Sequence, residues 1–345
     1  MNDRPTLPSS PHLRGTLDTK SLMYGVVVAL APAAAGSVYF FGVRALAVIA
    51  LGAVSAVVAE AACQGAFRAR ITVADGSALV TGMLLALTLP PGVPYWLPVA
   101  GSVFAIAIVK LPFGGLGYNL FNPALAARAF LFLAWPVHMT SWIAPSRGSL
   151  SGFDAMTEAT PLGVYRFAHG VLSDPASVEQ DVSLASACVR DMSSPAGLRN
   201  LLVGNRGGSL GETSVILLAV GAFYLLARRI ISWRIPVTYL GTVALVTWVW
   251  GGERAFQGLP LFHLMAGGVV LGACFMATDI VTTPVSAGGK IVFGVGCGLL
   301  TSVIRLWGGY PEGVSYSILI MNATVPLIDR LTRPRILGQP KAVRW

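Results

Sequence analysis

The sequence predicts an all-α polytopic membrane protein, with about ten transmembrane helices in two inverted five-helix repeats and a long extracytoplasmic loop between them. Three observations lead to this fold class. The chain is 54% hydrophobic and only 11% charged, whereas soluble domains carry about 25% charged residues. Many apolar runs approach the roughly 17–25 residues that cross a bilayer. Two long segments, one in each half of the chain, also align without gaps.

Ten apolar runs, bounded by charged residues or by Pro and Gly, are the candidate spans. They cover residues 22–42, 45–66, 77–90, 94–110, 121–136, 211–228, 235–250, 260–277, 289–306 and 314–331. Several are short, and the run before Pro90 is about half of a normal crossing. Spans interrupted by Gly or Pro usually expose their backbone to a protein-lined cavity, because lipid cannot form hydrogen bonds with it.

The two halves contain an internal repeat. Residues 88–115 align with residues 282–309 at a constant offset of 194, so that Thr88 meets Thr282 and both segments end in a Gly pair. Pro and Gly bound many spans, so chance matches are the alternative, but the ungapped register favours a true repeat. Five spans per unit is an odd number, so the two copies would be inverted in the membrane, with a site near the midplane.

Basic residues predict the orientation. Clusters of Lys and Arg before the first span, after the second, between the sixth and seventh, and in the tail share one side if both termini are cytoplasmic. The exceptions, Arg44, Arg254 and Arg305, are isolated. The predicted segments are a cytoplasmic N-terminal segment (1–21), the first five-helix repeat (22–136), an extracytoplasmic loop (137–206), the second five-helix repeat (207–331) and a cytoplasmic tail (332–345).

Charge and cysteine usage exclude several functions. The net charge of +9 is explained by the cytoplasmic Lys/Arg excess, so we expect membrane lipid and no nucleic acid as a partner. Cys63, Cys188, Cys274 and Cys297 form no C-x-x-C pair. No metal site is therefore predicted within this chain, although a cluster shared with a neighbouring subunit stays open. No catalytic residues are predicted from the sequence.

One candidate site is the stretch "GGLGYNLFNPALAARAF". Asn122 is placed to cap a helix in which Pro123 is an early residue. Capping alone is one interpretation. The alternative is that Asn119, Asn122 and the exposed N–H groups form a hydrogen-bonding rim for a planar, imide-bearing ligand such as a flavin, which needs polar groups within an apolar slot.

Carboxylates in or near the spans are a second set of candidates, because a charge at membrane depth is costly. Glu60 lies deepest in an apolar run and is a candidate for an ion path. The others lie at span ends, where solvation or helix capping suffices to explain them: Asp75, Glu212, Asp279 and Asp329.

The third candidate is the polar stretch "GFDAMTEATPL" in the long loop. Physical chemistry alone favours a turn, with Asp154 as a cap. The stretch also resembles the covalent-flavin acceptor motif of the Rnf and sodium-pumping NADH:quinone reductase membrane subunits. Asp154 and Thr157 match the motif, and Thr160 takes the position of the threonine to which a flavin transferase joins FMN through its phosphate. Glu158 departs from the usual Gly and places a carboxylate unfavourably near a phosphate.

Further segments from about Asp75 to Arg335 resemble the same family, among them "FMATDIVTTP" and "WGGYPEG". The compact length is similar to the D-type member of the Rnf complex. The resemblance implies ten helices in two inverted repeats, covalent FMN at Thr160, and noncovalent riboflavin near Asn119, Asn122 and Pro123.

This resemblance also implies a function and a location. We expect a bacterial cytoplasmic (inner) membrane subunit that relays electrons in an ion-translocating ferredoxin:NAD+ oxidoreductase, coupled to Na+ or H+ transport. Its partners would be the other membrane and peripheral Rnf subunits, which hold the NAD+ and ferredoxin sites, and a flavin transferase for maturation. The alternatives are a B-type subunit of a sodium-translocating NADH:quinone reductase and a non-redox channel or transporter.

Overall fold

The structure is a computed structural model that describes residues 18–68, 71–145, 158–173, 178–212, 214–252, 254–309 and 312–333. Every regular element in these residues is a helix. The α-helices are α1 (Thr19–Ala66), α2 (Ser77–Leu87), α3 (Trp96–Phe104), α4 (Pro123–Ala134), α5 (Pro136–Met139), α6 (Pro161–Ser173), α7 (Glu179–Ser193), α8 (Pro195–Val203), α9 (Val215–Ala227), α10 (Arg234–Trp250), α11 (Pro260–Met265), α12 (Val269–Leu271), α13 (Ala287–Trp307) and α14 (Val314–Leu331).

The first two predicted spans form α1, a 48-residue helical stretch with a break at Gly42. Gly42 has φ 70° and ψ −161°, a conformation that glycine adopts without the strain of a side chain. The break falls between the predicted spans 22–42 and 45–66, so the sequence-based boundary is confirmed.

Interrupted helices occur in both halves. A π-helix, Ala105–Lys110, continues α3, and a second, Gly272–Met276, continues α12. Between α11 and α12 the chain leaves the helix, and Gly267 has φ 70°. α2 has 11 residues, about 16 Å at helical rise, which is roughly half of a bilayer core. The prediction of short, broken helices is therefore confirmed.

Two helices of the described chain, α1 and α13, are each long and apolar enough to cross a membrane by themselves. The shorter apolar helices are Ser77–Leu87, Trp96–Lys110, Pro123–Ala134 and Val215–Ala227. The repeat offset relates α3 to α13 and α4 to α14. α3 packs on α4, α13 packs on α14, and α4 contacts α14. The equivalent helices thus have equivalent neighbours, while the inversion of the copies stays a prediction.

Close packing of α1 on α2 depends on two glycines. A Cβ added to Gly82 would lie 2.3 Å from the carbonyl oxygen of Gly52, and Ser102 Oγ donates to the same carbonyl at 2.9 Å. Small residues at such contacts let helix backbones approach. This packing is the main contact that holds α2 in place.

We expect Gly82→Val to separate α1 from α2 and to lower the thermal unfolding midpoint of the purified protein. Overpacking of this kind should lower the free energy of unfolding by about 2–3 kcal/mol. Gly241→Val on α10 is the matched control, because a Cβ there meets no atom within 4 Å. Equal unfolding midpoints for the two variants would contradict this account of the contact.

The segment predicted as the extracytoplasmic loop, residues 137–206, is largely helical where it is described. We call α6, α7 and α8 the helical cap. Its apolar core consists of Leu162, Tyr165, Met192, Leu201, Phe262 and Ala266. Phe262 and Ala266 belong to or adjoin α11, so this core fastens the helical cap to the bundle of the second half.

Candidate functional site

Thr160 lies directly before α6 and caps its N-terminus. Its Oγ1 accepts the Gly163 N–H at 3.1 Å, and its carbonyl accepts the Val164 N–H at 2.9 Å. The residue is 7% exposed. The N-terminus of a helix carries free N–H groups and a partial positive charge, both of which favour a negatively charged group. A phosphoryl group on this threonine would therefore meet a favourable field.

Tyr165, one turn further along α6, anchors this helix. Its hydroxyl donates to the Gly251 carbonyl at 2.6 Å, and burial raises its pKa to about 12. The phenol therefore remains a neutral donor at physiological pH, and the position of α6 does not depend on pH through this group.

Asp154 and Thr157 of the predicted motif lie outside the described residues. Glu158, the departure from the motif, accepts the Gly207 N–H at 3.2 Å through Oε2. Its own N–H donates to the Trp142 carbonyl at 3.2 Å. The Glu158 side chain is thus held by a backbone N–H of the segment before α9. This hydrogen bond partly offsets the predicted repulsion between its carboxylate and a phosphate on Thr160.

Three cavities adjoin this region, and we name them by their linings. The attachment cavity, about 20 Å³, is lined by Thr160, Arg206, Glu212, Gly267 and Glu312, among others. The cap cavity, about 380 Å³, lies within the helical cap and is lined by Glu158, Cys188, Asp191, Met192, Arg206 and Phe262, among others. The bundle cavity, about 350 Å³, is lined by Arg128, Ala129, Phe132, Trp142, Glu312 and Tyr316, among others.

A buried charge cluster borders the attachment and bundle cavities. Arg128 forms an ion pair with Glu312, and its Nη1 is 3.9 Å from Glu212 Oε1. Arg305 donates to the carbonyls of His263, at 2.6 Å, and Ala266, at 3.1 Å. The expectation that solvation explains Glu212 is wrong, because its side chain is only 4% exposed.

Three arginine and glutamate residues of this cluster differ from what the sequence predicts. Arg305, expected as an isolated charge on the extracytoplasmic face, is buried. Arg128 and Glu312 had no predicted role. In the sequence, Arg128 is a single charge inside an apolar run, a pattern that indicates a buried functional or paired group. Its pairing with Glu312 is brought about only by the fold.

The second predicted site lies at the N-terminus of α4. Asn122 Oδ1 accepts the N–H groups of Ala124 and Leu125, so the predicted cap is confirmed. Its Nδ2 donates to the Met276 carbonyl at 3.3 Å, which joins the two halves of the chain. Asn119 is 8% exposed, and its Oδ1 has no hydrogen-bond partner in the described structure.

Asn119, Asn122 and Pro123 line one cavity, which we call the amide cavity. Lys110, Asp279, Met23, Ile230 and Phe275 also line it. Its volume is about 60 Å³, below the roughly 300–1,000 Å³ of typical ligand pockets. A flavin ring therefore fits only if side chains such as Met23 and Ile230 move.

Glu60 is buried and paired. Lys110 Nζ donates to Glu60 Oε1 at 2.6 Å and to Ser77 Oγ at 2.6 Å. Both side chains are at most 2% exposed. Glu60 Oε2 has no hydrogen-bond partner among the described residues. Lys110 ends the predicted fourth span, 94–110, where the charge pattern predicts a cytoplasmic flanking charge, and the fold instead places it inside the bundle.

The remaining carboxylates each accept a hydrogen bond. Asp75 accepts the Ser77 N–H at 2.8 Å. Asp279 accepts the Thr282 hydroxyl at 3.2 Å. Asp329 accepts the Val285 N–H at 3.1 Å. Capping is therefore confirmed for Asp75 at the start of α2, whereas Asp279 and Asp329 form hydrogen bonds that cap no helix.

The fold and the site together define a class of protein. Interrupted helices, buried ion pairs and internal cavities within an apolar helical bundle are typical of polytopic membrane proteins with a transport or relay function. The chain belongs to the NQR2, RnfD, RnfE family, whose model matches residues 6–338. This is a family of membrane proteins.

Three relatives match over nearly the whole chain, and each is the D-type member of an oxidoreductase complex. The chain is 47% identical to that of the proton-translocating ferredoxin:NAD(+) oxidoreductase complex of Clostridium ljungdahlii, over 96% of each chain. It is 46% identical to that of the Na(+)-translocating ferredoxin:NAD(+) oxidoreductase complex of Acetobacterium woodii, over 97% of this chain and 96% of the relative. It is 43% identical to the D-type member of the ion-translocating oxidoreductase complex of Stutzerimonas stutzeri, over 95% of this chain and 94% of the relative.

Proposed function

We propose that this chain is the D-type membrane component of an ion-translocating ferredoxin:NAD+ oxidoreductase, with covalent FMN at Thr160 and noncovalent riboflavin at the amide cavity, and that it relays electrons coupled to Na+ or H+ transport. The observation that carries the proposal is a buried threonine that ends the acceptor motif and caps α6. Identities of 47% and 46% to named D-type relatives support it. One of those names specifies protons and the other Na+, so the coupling ion stays open.

The surroundings of Thr160 suit a phosphodiester. The attachment cavity is lined by Thr160 at the N-terminus of α6 and by Arg206, both of which favour an anion. It is also lined by Glu212 and Glu312, which oppose one. Asp154 and Thr157 complete the motif that a flavin transferase would recognise. The phosphate link would hold the flavin near Thr160, and proximity of this kind replaces diffusion of a free carrier.

The amide cavity suits the polar edge of a second flavin. A buried carbonyl oxygen without a partner, Asn119 Oδ1, can accept the imide N–H of the ring. Asn122 and Pro123 border the same cavity. α4 leads from the amide cavity to the buried charge cluster: Asn122 caps its start, and Arg128 lies six residues further along, about 9 Å at helical rise.

The exposed aromatic residues support helix ends at the membrane–water interfaces, as the proposed ten-helix topology with both termini cytoplasmic requires. Tryptophan and tyrosine concentrate at membrane–water interfaces. Trp96, Trp250 and Trp307 are 46%, 57% and 61% exposed, and each lies at a helix end assigned to the extracytoplasmic side. Tyr24 and Trp233, 43% and 58% exposed, lie at ends assigned to the cytoplasmic side.

Glu60 is proposed for the ion path. Its Oε2 is buried without a hydrogen bond among the described residues, so it has acceptor capacity for a proton or a cation. The pairing with Lys110 through Oε1 keeps the carboxylate in place. The NAD+ and ferredoxin sites are assigned to the other Rnf subunits, which are the proposed partners.

In-gel flavin fluorescence after denaturation in SDS tests the covalent flavin, with the chain coexpressed with a flavin transferase. We expect a fluorescent band for the wild type and none for Thr160→Val. Ser194→Ala is the matched control, because Ser194 Oγ caps α8 in the same way, accepting the Gly197 N–H at 3.0 Å. A dark wild-type band would contradict the flavin assignment and favour the non-redox transporter.

A further inference from the structure

We propose that Asp75, Ser77 and Lys110 pass protons from the surface of the bundle to Glu60, so that the ion entering the path at Glu60 is a proton. We call these four residues the relay chain. The inference rests on the proposed ion path through Glu60. It names the ion that this site takes, which the names of the relatives leave open between protons and Na+.

The relay chain is an unbroken series of hydrogen bonds between groups that can exchange protons. Asp75 Oδ1 accepts the Ser77 hydroxyl at 2.6 Å. Ser77 Oγ accepts from Lys110 Nζ at 2.6 Å, and Lys110 Nζ also donates to Glu60 Oε1 at 2.6 Å. All three distances are those of hydrogen bonds. A proton can therefore move from the first residue to the last without an intervening group.

Burial increases from the outer end of the relay chain to the inner end. Asp75 is half-buried and lies before α2, on the side of the bundle proposed to face the cytoplasm. Ser77 is 4% exposed, and Lys110 and Glu60 are each 1% exposed. Lys110 ends the π-helix that continues α3, and helices of this kind often occur at functional sites. The relay chain thus joins water to a buried carboxylate.

Lys110 favours a proton over Na+ at this site. Its ammonium group already lies against Glu60 Oε1, and like charges repel strongly in a low-dielectric interior. A sodium ion at the same carboxylate would meet this positive charge, whereas a proton arrives through Lys110 itself. In the part of the chain that the structure describes, no group of three or more His, Cys, Asp or Glu side chains is placed to hold a metal ion.

Three proton transfers move one proton inward. Lys110 gives a proton to Glu60 and becomes a neutral amine. The Ser77 hydroxyl turns and gives its proton to this amine, while its oxygen takes the proton that Asp75 has taken from water. Lys110 is then again an ammonium group and Asp75 a carboxylate, and Glu60 is protonated. Glu60 Oε2, which has no hydrogen-bond partner among the described residues, leaves the carboxyl group open to a further acceptor.

Two other polar groups border the relay chain. Gln64 Nε2 donates to Glu60 Oε1 at 3.4 Å, and its amide carries no charge. The Asp279 carboxyl lines the amide cavity together with Ser77 and Lys110. Neither group lies between two members of the relay chain, so neither interrupts it.

The experiment measures ferredoxin-driven proton uptake by proteoliposomes that contain the assembled complex, beside the uptake of radioactive Na+. Asp75→Asn removes the proton acceptor but can still accept the Ser77 N–H, because Asn caps helices as well as Asp does. Ser77→Ala interrupts the relay chain and leaves the Lys110–Glu60 pair. We expect each variant to lower the rate of proton uptake by about 100-fold, since positioned proton-transfer groups contribute roughly 10²–10⁴-fold.

Two serine variants are the controls. Ser77→Thr retains a hydroxyl at the same position and should recover most of the proton uptake. Ser55→Ala removes a hydroxyl that donates to the Leu51 carbonyl of its own helix at 2.5 Å, outside the relay chain. This variant should take up protons at the wild-type rate.

Rescue by a small weak acid separates proton transfer from a structural role. Formic acid can deliver protons where a surface carboxylate is missing, but it cannot replace a hydroxyl inside the bundle. We therefore expect formic acid to restore turnover to Asp75→Asn and not to Ser77→Ala. The readout is ferredoxin-dependent NAD+ reduction by the complex in detergent, because formic acid would cross a vesicle membrane.

The relay and the proposed ion path fail in distinguishable ways. Wild-type proton uptake in Asp75→Asn or Ser77→Ala would overturn the relay, and so would a loss in Asp75→Asn that formic acid does not restore. Sodium uptake without proton uptake in the wild type would also overturn it, with ion translocation intact. A wild-type complex that moves neither ion would instead overturn the proposed ion path itself.

Discussion

Membranes that carry the Thr160→Val chain should lose ferredoxin-dependent NAD+ reduction by about 100-fold or more. The expected size follows from proximity, because loss of a positioning link commonly costs two orders of magnitude even where all other groups remain. The substitution removes the hydroxyl group to which the flavin would be joined. Valine otherwise has a shape similar to that of threonine. The measurement is NAD+ reduction by isolated membranes with reduced ferredoxin as the donor.

Assembly must be shown to be intact for this result to be interpretable. The other subunits should copurify with the Thr160→Val chain in wild-type proportions, since the substitution lies at the surface of a small cavity rather than in the main core. Ser194→Ala removes an equivalent helix cap and should retain activity. Wild-type activity in Thr160→Val membranes would show that electrons do not pass through a flavin at this position.

Lys110→Met should destabilise the protein by about 3–5 kcal/mol, because it leaves Glu60 as an uncompensated buried charge. Lys110 Nζ lies 2.6 Å from Glu60 Oε1, and both side chains are at most 2% exposed. Water cannot replace the lost partner without opening the bundle. The measurement is the thermal unfolding midpoint of the detergent-purified protein.

A double variant separates stability from ion transport. Lys110→Met with Glu60→Leu removes both charges, and a buried pair replaced by apolar residues is often neutral or more stable. We therefore expect the double variant to recover the unfolding midpoint. If Glu60 belongs to the ion path, the recovered protein should still fail to drive Na+ or H+ uptake in proteoliposomes. A double variant with full ion transport would leave Glu60 with a structural role only.

Local chemistry made several features predictable from the sequence. The apolar runs and the Pro and Gly residues between them located the helices, because a helix in lipid must be apolar and must satisfy its own backbone. The Asn122–Pro123 pair marked the start of α4, since a side-chain acceptor and a residue without an N–H fit the first turn. Thr160 is proposed from a motif whose residues are adjacent in the chain, and its flavin stays a prediction.

The helical cap could not be predicted in the same way. Its helices lie in a segment that hydropathy marks as a loop, although Pro161 and the Ser194–Pro195 pair are N-terminal helix signals. Its core depends on Phe262 and Ala266, which are distant in sequence. The stability of short helices comes mainly from such packing, so their existence was decided by tertiary contacts.

The sequence by itself determined the class of fold, the ends of most helices, the Asn122 cap and the position of Thr160, because each depends on residues within a few positions of one another. Tertiary structure alone decided which charges are paired. Lys110 meets Glu60 across 50 positions, and Arg128 meets Glu312 across 184. A hydropathy pattern records that a charge is present and not which opposite charge the fold brings to it. The burial that makes the loss of one partner costly exists only after the helices have packed.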